Sequence, residues 1–212
     1  MNSYVWDRAN RPLSMDGVLY QCNGDGNRIQ QDALKYILDL QPGLAQAIGD
    51  SDGNRYIHSP RGVHAVNDGS DWTYPLTDGL DSVRGYTDAY SNVLSNVNYT
   101  PVGVPDTNII GPAFTGEWRT GGTGMQYHRA RYLSPGLGVW LSLDPFEGIS
   151  SRPMSLNGYS WVEGNVVNLT DASGECVQEE LCEKLKNIAG VPQFVLEMLG
   201  CLPQADAGYH SR

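Results

Sequence analysis

Three kinds of side chain in this sequence could do chemistry by themselves: thiols, imidazoles and paired carboxylates. Cys22 stands alone, while Cys176, Cys182 and Cys201 fall near the C-terminal end. No pair has C-x-x-C spacing, so they read as free thiols or one bridge rather than a zinc site or a disulfide scaffold. No metal and no cofactor is expected. His58, His64, His128 and His210 are scattered singly, without a Cys, Ser or carboxylate at a meaningful spacing, and none is expected to be catalytic. Gly121-Gly-Thr-Gly124 is not followed by a Lys-Ser/Thr pair opening a helix, so it reads as a tight turn and not a phosphate loop. Arg129 and Arg131 alternate with Ala130 and Tyr132. On a strand they share one face, from which they either pair with acidic turns at the surface or reach toward Asp144. The remaining group is the carboxylates, 24 in all, and which of them could pair depends on the elements that carry them.

Those elements are short and turn-rich. Gly 25 and Pro 12 in 212 residues imply frequent turns rather than long helices. With Lys+Arg 14 against Asp+Glu 24, the net charge of −10 argues against a nucleic-acid partner, whose phosphates need Lys and Arg. No apolar stretch approaches the ~20 residues of a membrane span. The opening Met1-Asn-Ser-Tyr-Val-Trp-Asp7 has neither the basic nor the apolar region of a secretory signal, and reads as starting in mid-strand.

A repeat runs through the first half. An aromatic followed by Asp or Asn and a Gly-rich turn recurs in Tyr4-Val-Trp-Asp7, Tyr20-Gln-Cys-Asn23, Tyr36-Ile-Leu-Asp39, Tyr56-Ile-His58 and Trp72-Thr-Tyr74. Each step is about the length of a strand, a turn and a return strand. Asp16-Gly17, Asp25-Gly26-Asn27, Asp52-Gly53-Asn54, Asp68-Gly69 and Asp78-Gly79 supply positive-φ residues for the turns. A chain of antiparallel hairpins follows; unrelated turns in an ordinary β-sandwich are the alternative.

The Tyr-x-x-Asp copies ending in Gly-Asn-Arg resemble the YD repeats of RHS proteins. Tyr74-Pro-Leu-Thr-Asp78-Gly-Leu-Asp-Ser-Val-Arg84, with Thr87-Asp88 and Tyr99-Thr-Pro101-Val-Gly103, continues the likeness. The strongest part is similar to the RHS repeat-associated core: Phe114-Thr-Gly-Glu117, Tyr127-His-Arg-Ala-Arg-Tyr132 through Gly138 to Asp144-Pro145, Asn157-Gly-Tyr, and Asn168-Leu-Thr-Asp171-Ala-Ser-Gly174. The resemblance covers residues 1 to about 175. It implies YD repeats over 1–113, a core over 114–175 and a variable tail over 176–212. It further implies that the hairpins form part of a β-shell, a cocoon plugged by the core with a toxin inside.

In that family the two aspartates, here Asp144 and Asp171, belong to an aspartyl-type site that cuts the chain after the closing motif. Two carboxylates sharing a proton give the base and acid that peptide hydrolysis needs. Here Asp171-Ala-Ser-Gly-Glu175 lacks the family's proline and leucine, so the chain is expected to stay mostly intact, with each Asp serving as a turn or cap. After Gly174, Val177, Leu181, Leu185 and Ile188 recur at helical spacing and a second short helix starts at Pro192, a short α-helical tail.

The expected fold is therefore mainly β with that helical tail. The expected role is a structural, encapsulating core of an RHS/YD-repeat toxin or cell-surface protein, secreted or displayed as part of a longer chain. Its expected partners are its own C-terminal segment or the remainder of a longer RHS chain, with an immunity protein or cell-surface receptor as further candidates. An autoprotease releasing the C-terminal segment and a repeat-built adhesion or recognition module are the alternatives. An unclosed sheet of so few repeats leaves unpaired edges, which predicts edge-to-edge association or stability only within a longer polypeptide.

Overall fold

The structure, a computed structural model, describes residues 3–41, 43–59, 62–144, 146, 148 and 153–175. The helical tail expected over 176–212 lies outside the described residues. The first sheet has eleven strands: β1 (Tyr4–Trp6), β2 (Pro12–Met15), β3 (Val18–Cys22), β4 (Arg28–Gln31), β5 (Leu34–Asp39), β6 (Gln46–Asp50), β7 (Arg55–Ser59), β8 (Gly62–Asn67), β9 (Trp72–Thr77), β10 (Val83–Thr87) and β11 (Val93–Asn96). Each strand pairs with the next in sequence, so the sheet is an antiparallel meander that ends at β1 and β11 and does not close into a barrel. The repeat tyrosines 4, 20, 36, 56 and 74 fall on β1, β3, β5, β7 and β9. One repeat is one hairpin.

An Asp or Asn builds five of the turns. Asp7, Asn23, Asp50, Asp78 and Asp88 each use Oδ1 to accept the backbone N–H groups two and four residues on. Each also donates its own N–H to the carbonyl four residues on. Such a loop needs a left-handed residue before its last position, and Asn10, Gly26, Gly53, Asp81 and Ser91 supply it. The sequence reading placed that role on Gly79 in the fourth loop; the positive φ there belongs to Asp81, at 63°. The Asp78 carboxylate already fixes the first half of that turn, so the left-handed residue falls two positions beyond Gly79.

Along the strands, side chains alternate. Tyr20, Tyr36 and Tyr56 are buried, while their neighbours Leu19, Ile37 and Ile57 are exposed. The buried face carries the second sheet: β12 (Gly111–Pro112), β13 (Trp118–Arg119), β14 (Gln126–His128), β15 (Arg131–Ser134) and β16 (Val139–Trp140), again antiparallel and in sequence order. Tyr20 meets Tyr132 edge-on with ring centroids 5.6 Å apart, and Tyr36 and Tyr56 meet Trp118 at 5.8 and 4.9 Å. Edge-to-face geometry of this kind adds to the burial itself. Arg28, from the Gly-Asn-Arg end of a repeat, is almost wholly buried with its guanidinium 4.2 Å above the Tyr127 ring and 4.9 Å from that of Tyr36. A second core of Phe114, Leu133, Trp140, Trp161 and Val162 lies beneath β15 and β16. Three short 3-10 turns, Phe114–Gly116, Pro153–Leu156 and Trp161–Gly164, complete the described secondary structure. No helix among the described residues is long and apolar enough to cross a membrane.

Candidate active site

Asp144 and Asp171, far apart in sequence, converge on one atom. Nη2 of Arg131, at the start of β15, lies 2.6 Å from Asp144 Oδ2 and 3.4 Å from Asp171 Oδ2. The Arg131 and Asp171 side chains are 2% and 1% exposed and that of Asp144 is 16% exposed, so this cluster is inside the protein. The surface ion pair that the Arg129/Arg131 alternation left open is thus corrected for Arg131, and so is the shared strand face, because Arg129 stands in the β14–β15 turn at φ +55°. Partner strands and the 171–174 segment cover Arg131.

The remaining bonds position each group. The Arg131 guanidinium lies 4.2 Å over the Trp140 ring, and its Nη1 donates to the Gly158 carbonyl at 3.2 Å. Asp144 Oδ1 accepts the Phe146 amide at 2.9 Å. Asp171 Oδ1 accepts the Gly174 amide at 2.8 Å and the Ser173 hydroxyl at 3.0 Å. Burial pushes the Asp144 carboxyl above its usual range, against the lowering effect of Arg131, and burial lowers the Arg131 guanidinium. Chemically, the arrangement offers a carboxyl that keeps its proton to higher pH beside a second carboxylate, with a fixed cation between them.

The glycine conformations explain how the chain turns through the site. Gly174 has φ +76°, and a Cβ there would lie 2.4 Å from the His128 carbonyl oxygen. Only glycine lets the 171–174 segment pass this close to β14.

His128 is where sequence reasoning fell short. It is fully buried, its ring edge-on to Trp140 at 5.0 Å, and its Nδ1 lies 2.5 Å from the Asp171 carbonyl oxygen. Burial pushes its pKa down to about 3, so the imidazole is neutral and Nδ1 carries the proton it donates. Its distance in sequence from Asp171 gave no signal. His58 sits elsewhere, its Nε2 2.7 Å from the Ala47 carbonyl, and His64 stacks edgewise on Tyr74. Among the described residues, no three His, Cys, Asp or Glu side chains converge in a way that could hold a metal. Gly121-Gly-Thr-Gly124 forms the β13–β14 turn, with Gly122 and Gly124 at positive φ.

A cavity of about 670 Å³ separates the inner face of the first sheet from the 107–112 segment, lined by Tyr36, Tyr56, Tyr86, Trp118, Asp50 and Asn108 among others.

No family model matches the chain. The chain is 42% identical over 55 residues to the tRNA nuclease WapA of Bacillus subtilis (strain 168) and, to the same extent, to the tRNA3(Ser)-specific nuclease WapA of Bacillus spizizenii. That match covers 26% of this chain and 2% of either relative. Among solved structures, TcdB2-TccC3-Cdc42 matches with a TM-score of 0.61 at 19% identity, over 95% of this chain and 11% of that one. TcdB2-TccC3-TEV matches with a TM-score of 0.60 at 20% identity, over 82% of this chain and 10% of that one. The chain therefore shares its fold with part of these toxin-complex chains and spans only about a tenth of their length.

Proposed function

We propose that this chain is the core of an RHS/YD-repeat toxin or cell-surface protein, secreted or displayed as part of a longer polypeptide, and that it works as a shell holding its own C-terminal segment. The observation that carries this reading is the architecture. An eleven-stranded meander of Tyr/Asp hairpins is covered on its aromatic face by a five-stranded sheet, with a cavity of about 670 Å³ lined by residues of both. The fold shared with TccC3-containing structures and the short match to WapA support it. Thiol labelling tests it, because Cys176, Cys182 and Cys201 lie in the segment to be held. In the reduced full chain they react at least tenfold more slowly than in urea. Labelling of all three at the denatured rate contradicts the shell.

One observation favours a second reading, self-cleavage after the 171–175 motif: Asp144 and Asp171 meet at Arg131. In this reading the Asp144 carboxyl gives a proton to the leaving amine while Asp171 takes one from the attacking water. Intact mass spectrometry decides it. A species ending near Gly174 or Glu175, abolished by Asp144→Asn, supports cleavage; a single 23 kDa species in both proteins rejects it.

A further inference from the structure

The segment carrying Asp171 is held in an unusual way. Four consecutive carbonyl oxygens are each taken by one of four consecutive residues, 128–131, that run from the end of β14 through the turn to the start of β15. His128 Nδ1 meets the Asp171 carbonyl at 2.5 Å, and Arg129 Nη1 donates to that of Ala172 at 2.8 Å. The Ala130 amide donates to the Ser173 carbonyl at 3.1 Å, and Arg131 Nε donates to that of Gly174. The offset is 43 residues in every pair. Three of the four donors are side chains, so this is not an ordinary strand ladder, in which amides do the work.

Such a clamp reads the main chain. The clamp takes the main-chain carbonyls of residues 172 and 173, an acceptor that alanine at 172 offers like any other residue. The register, in contrast, is fixed: a slip of one residue would part every donor from its acceptor and move Asp171 away from Arg131.

Arg129 links the clamp to the rest of the fold. It stands in the turn at φ +55°, a strained setting for a non-glycine residue. Its Nη1 donates both to Glu117 Oε2 and to the Ala172 carbonyl, while Nε reaches the Ala45 carbonyl at 3.4 Å. Glu117 is buried and belongs to the Phe114-Thr-Gly-Glu117 stretch, before β13. The pair thus ties three parts of the fold to the peptide after Asp171: the β5–β6 connection, the turn before β13 and the β14–β15 turn.

We propose that Glu117 and Arg129 are positioning residues: through the His128–Arg131 carbonyl clamp they set the register of residues 171–174, and so determine which peptide bond is presented at Asp144 and Asp171. The presentation of a bond rests on the self-cleavage reading; the clamp itself does not.

The test separates the two. Glu117→Gln and Arg129→Lys are made in the full chain, and amide hydrogen exchange is followed by mass spectrometry on fragments covering 171–175, with the β7–β8 hairpin as internal reference. The expected result is at least tenfold faster exchange in 171–175 in both variants, with the reference unchanged. Where the parent protein cleaves itself, it ends at one residue and the variants end at several. Unchanged exchange at 171–175 in both variants overturns the clamp, and a single unshifted terminus overturns its part in presenting the bond. Faster exchange confined to 171–175 in a parent that stays intact upholds the clamp and rejects the self-cleavage reading. A variant whose reference hairpin also exchanges faster has lost its fold. Ala172→Gly then decides: the main-chain clamp predicts unchanged protection of 173–175, and its loss overturns the proposal.

Discussion

Replacing Arg131 with Met keeps the bulk of the side chain over Trp140 but removes the charge between Asp144 and Asp171. Two carboxylates, one of them 1% exposed, are then left without their cation. Breaking a buried ion pair from one side costs about 3–5 kcal/mol, because the remaining charge stays buried and uncompensated. Loss of the bonds to the Gly158 and Gly174 carbonyls places the effect toward the top of that range. The pH dependence has a definite sign. The folded pKa of Asp144 is raised, so its contribution to stability is full below the unfolded value and is lost as pH rises through the folded one. Without Arg131 that pKa rises further, so Arg131→Met is more harmful at pH 7 than at pH 4. Urea unfolding followed by tryptophan fluorescence measures both quantities. A loss below about 1 kcal/mol at pH 7, or a loss that does not shrink on acidification, would refute the argument.

Other perturbations test other parts of the fold. Tyr56→Phe removes the hydroxyl that donates to buried Asp50 at 2.7 Å, and is expected to cost about 2 kcal/mol in urea unfolding. Gly174→Ala forces a Cβ against the His128 carbonyl at a positive φ; a cost of about 1–3 kcal/mol is expected by thermal unfolding. Gly85→Ala drives a Cβ to 2.4 Å from the Ser95 carbonyl oxygen, and hydrogen exchange is expected to show β11 released from β10. Among the described residues β11 ends the sheet, and it exposes Val93 and Leu94. Light scattering is expected to show association that grows with salt as the charge of −10 is screened, and a compact monomer at every salt contradicts this.

The hairpin repeat was readable because its parts are local. A carboxylate or amide accepting two amides within four residues leaves a trace in the sequence, as at Asp7, Asn23 and Asp50. The left-handed position was less readable, since Asn10, Asp81 and Ser91 do the work of glycine. The resemblance singled out Asp144 and Asp171, but spacing alone could not show their meeting at Arg131. Alternation predicted Arg129 and Arg131 on one strand face, but only Arg131 lies on β15; Arg129 stands in the turn before it at φ +55°. His128 was invisible for the same reason: its partner is a backbone carbonyl 43 residues away, and carbonyls have no sequence signature. Arg28 shows the limit from another side. A basic residue closing a turn reads as solvated, yet tyrosines from both sheets enclose it.

The claim that the shell holds its own C-terminal segment is tested most directly by cutting the tether. A specific protease site is inserted after Glu175 in the full chain, the purified protein is cleaved under native conditions, and the products are separated by size-exclusion chromatography with mass detection. The account predicts that residues 176–212 co-elute with the shell and separate only in denaturant. Elution of that segment as a free peptide under native conditions would contradict it.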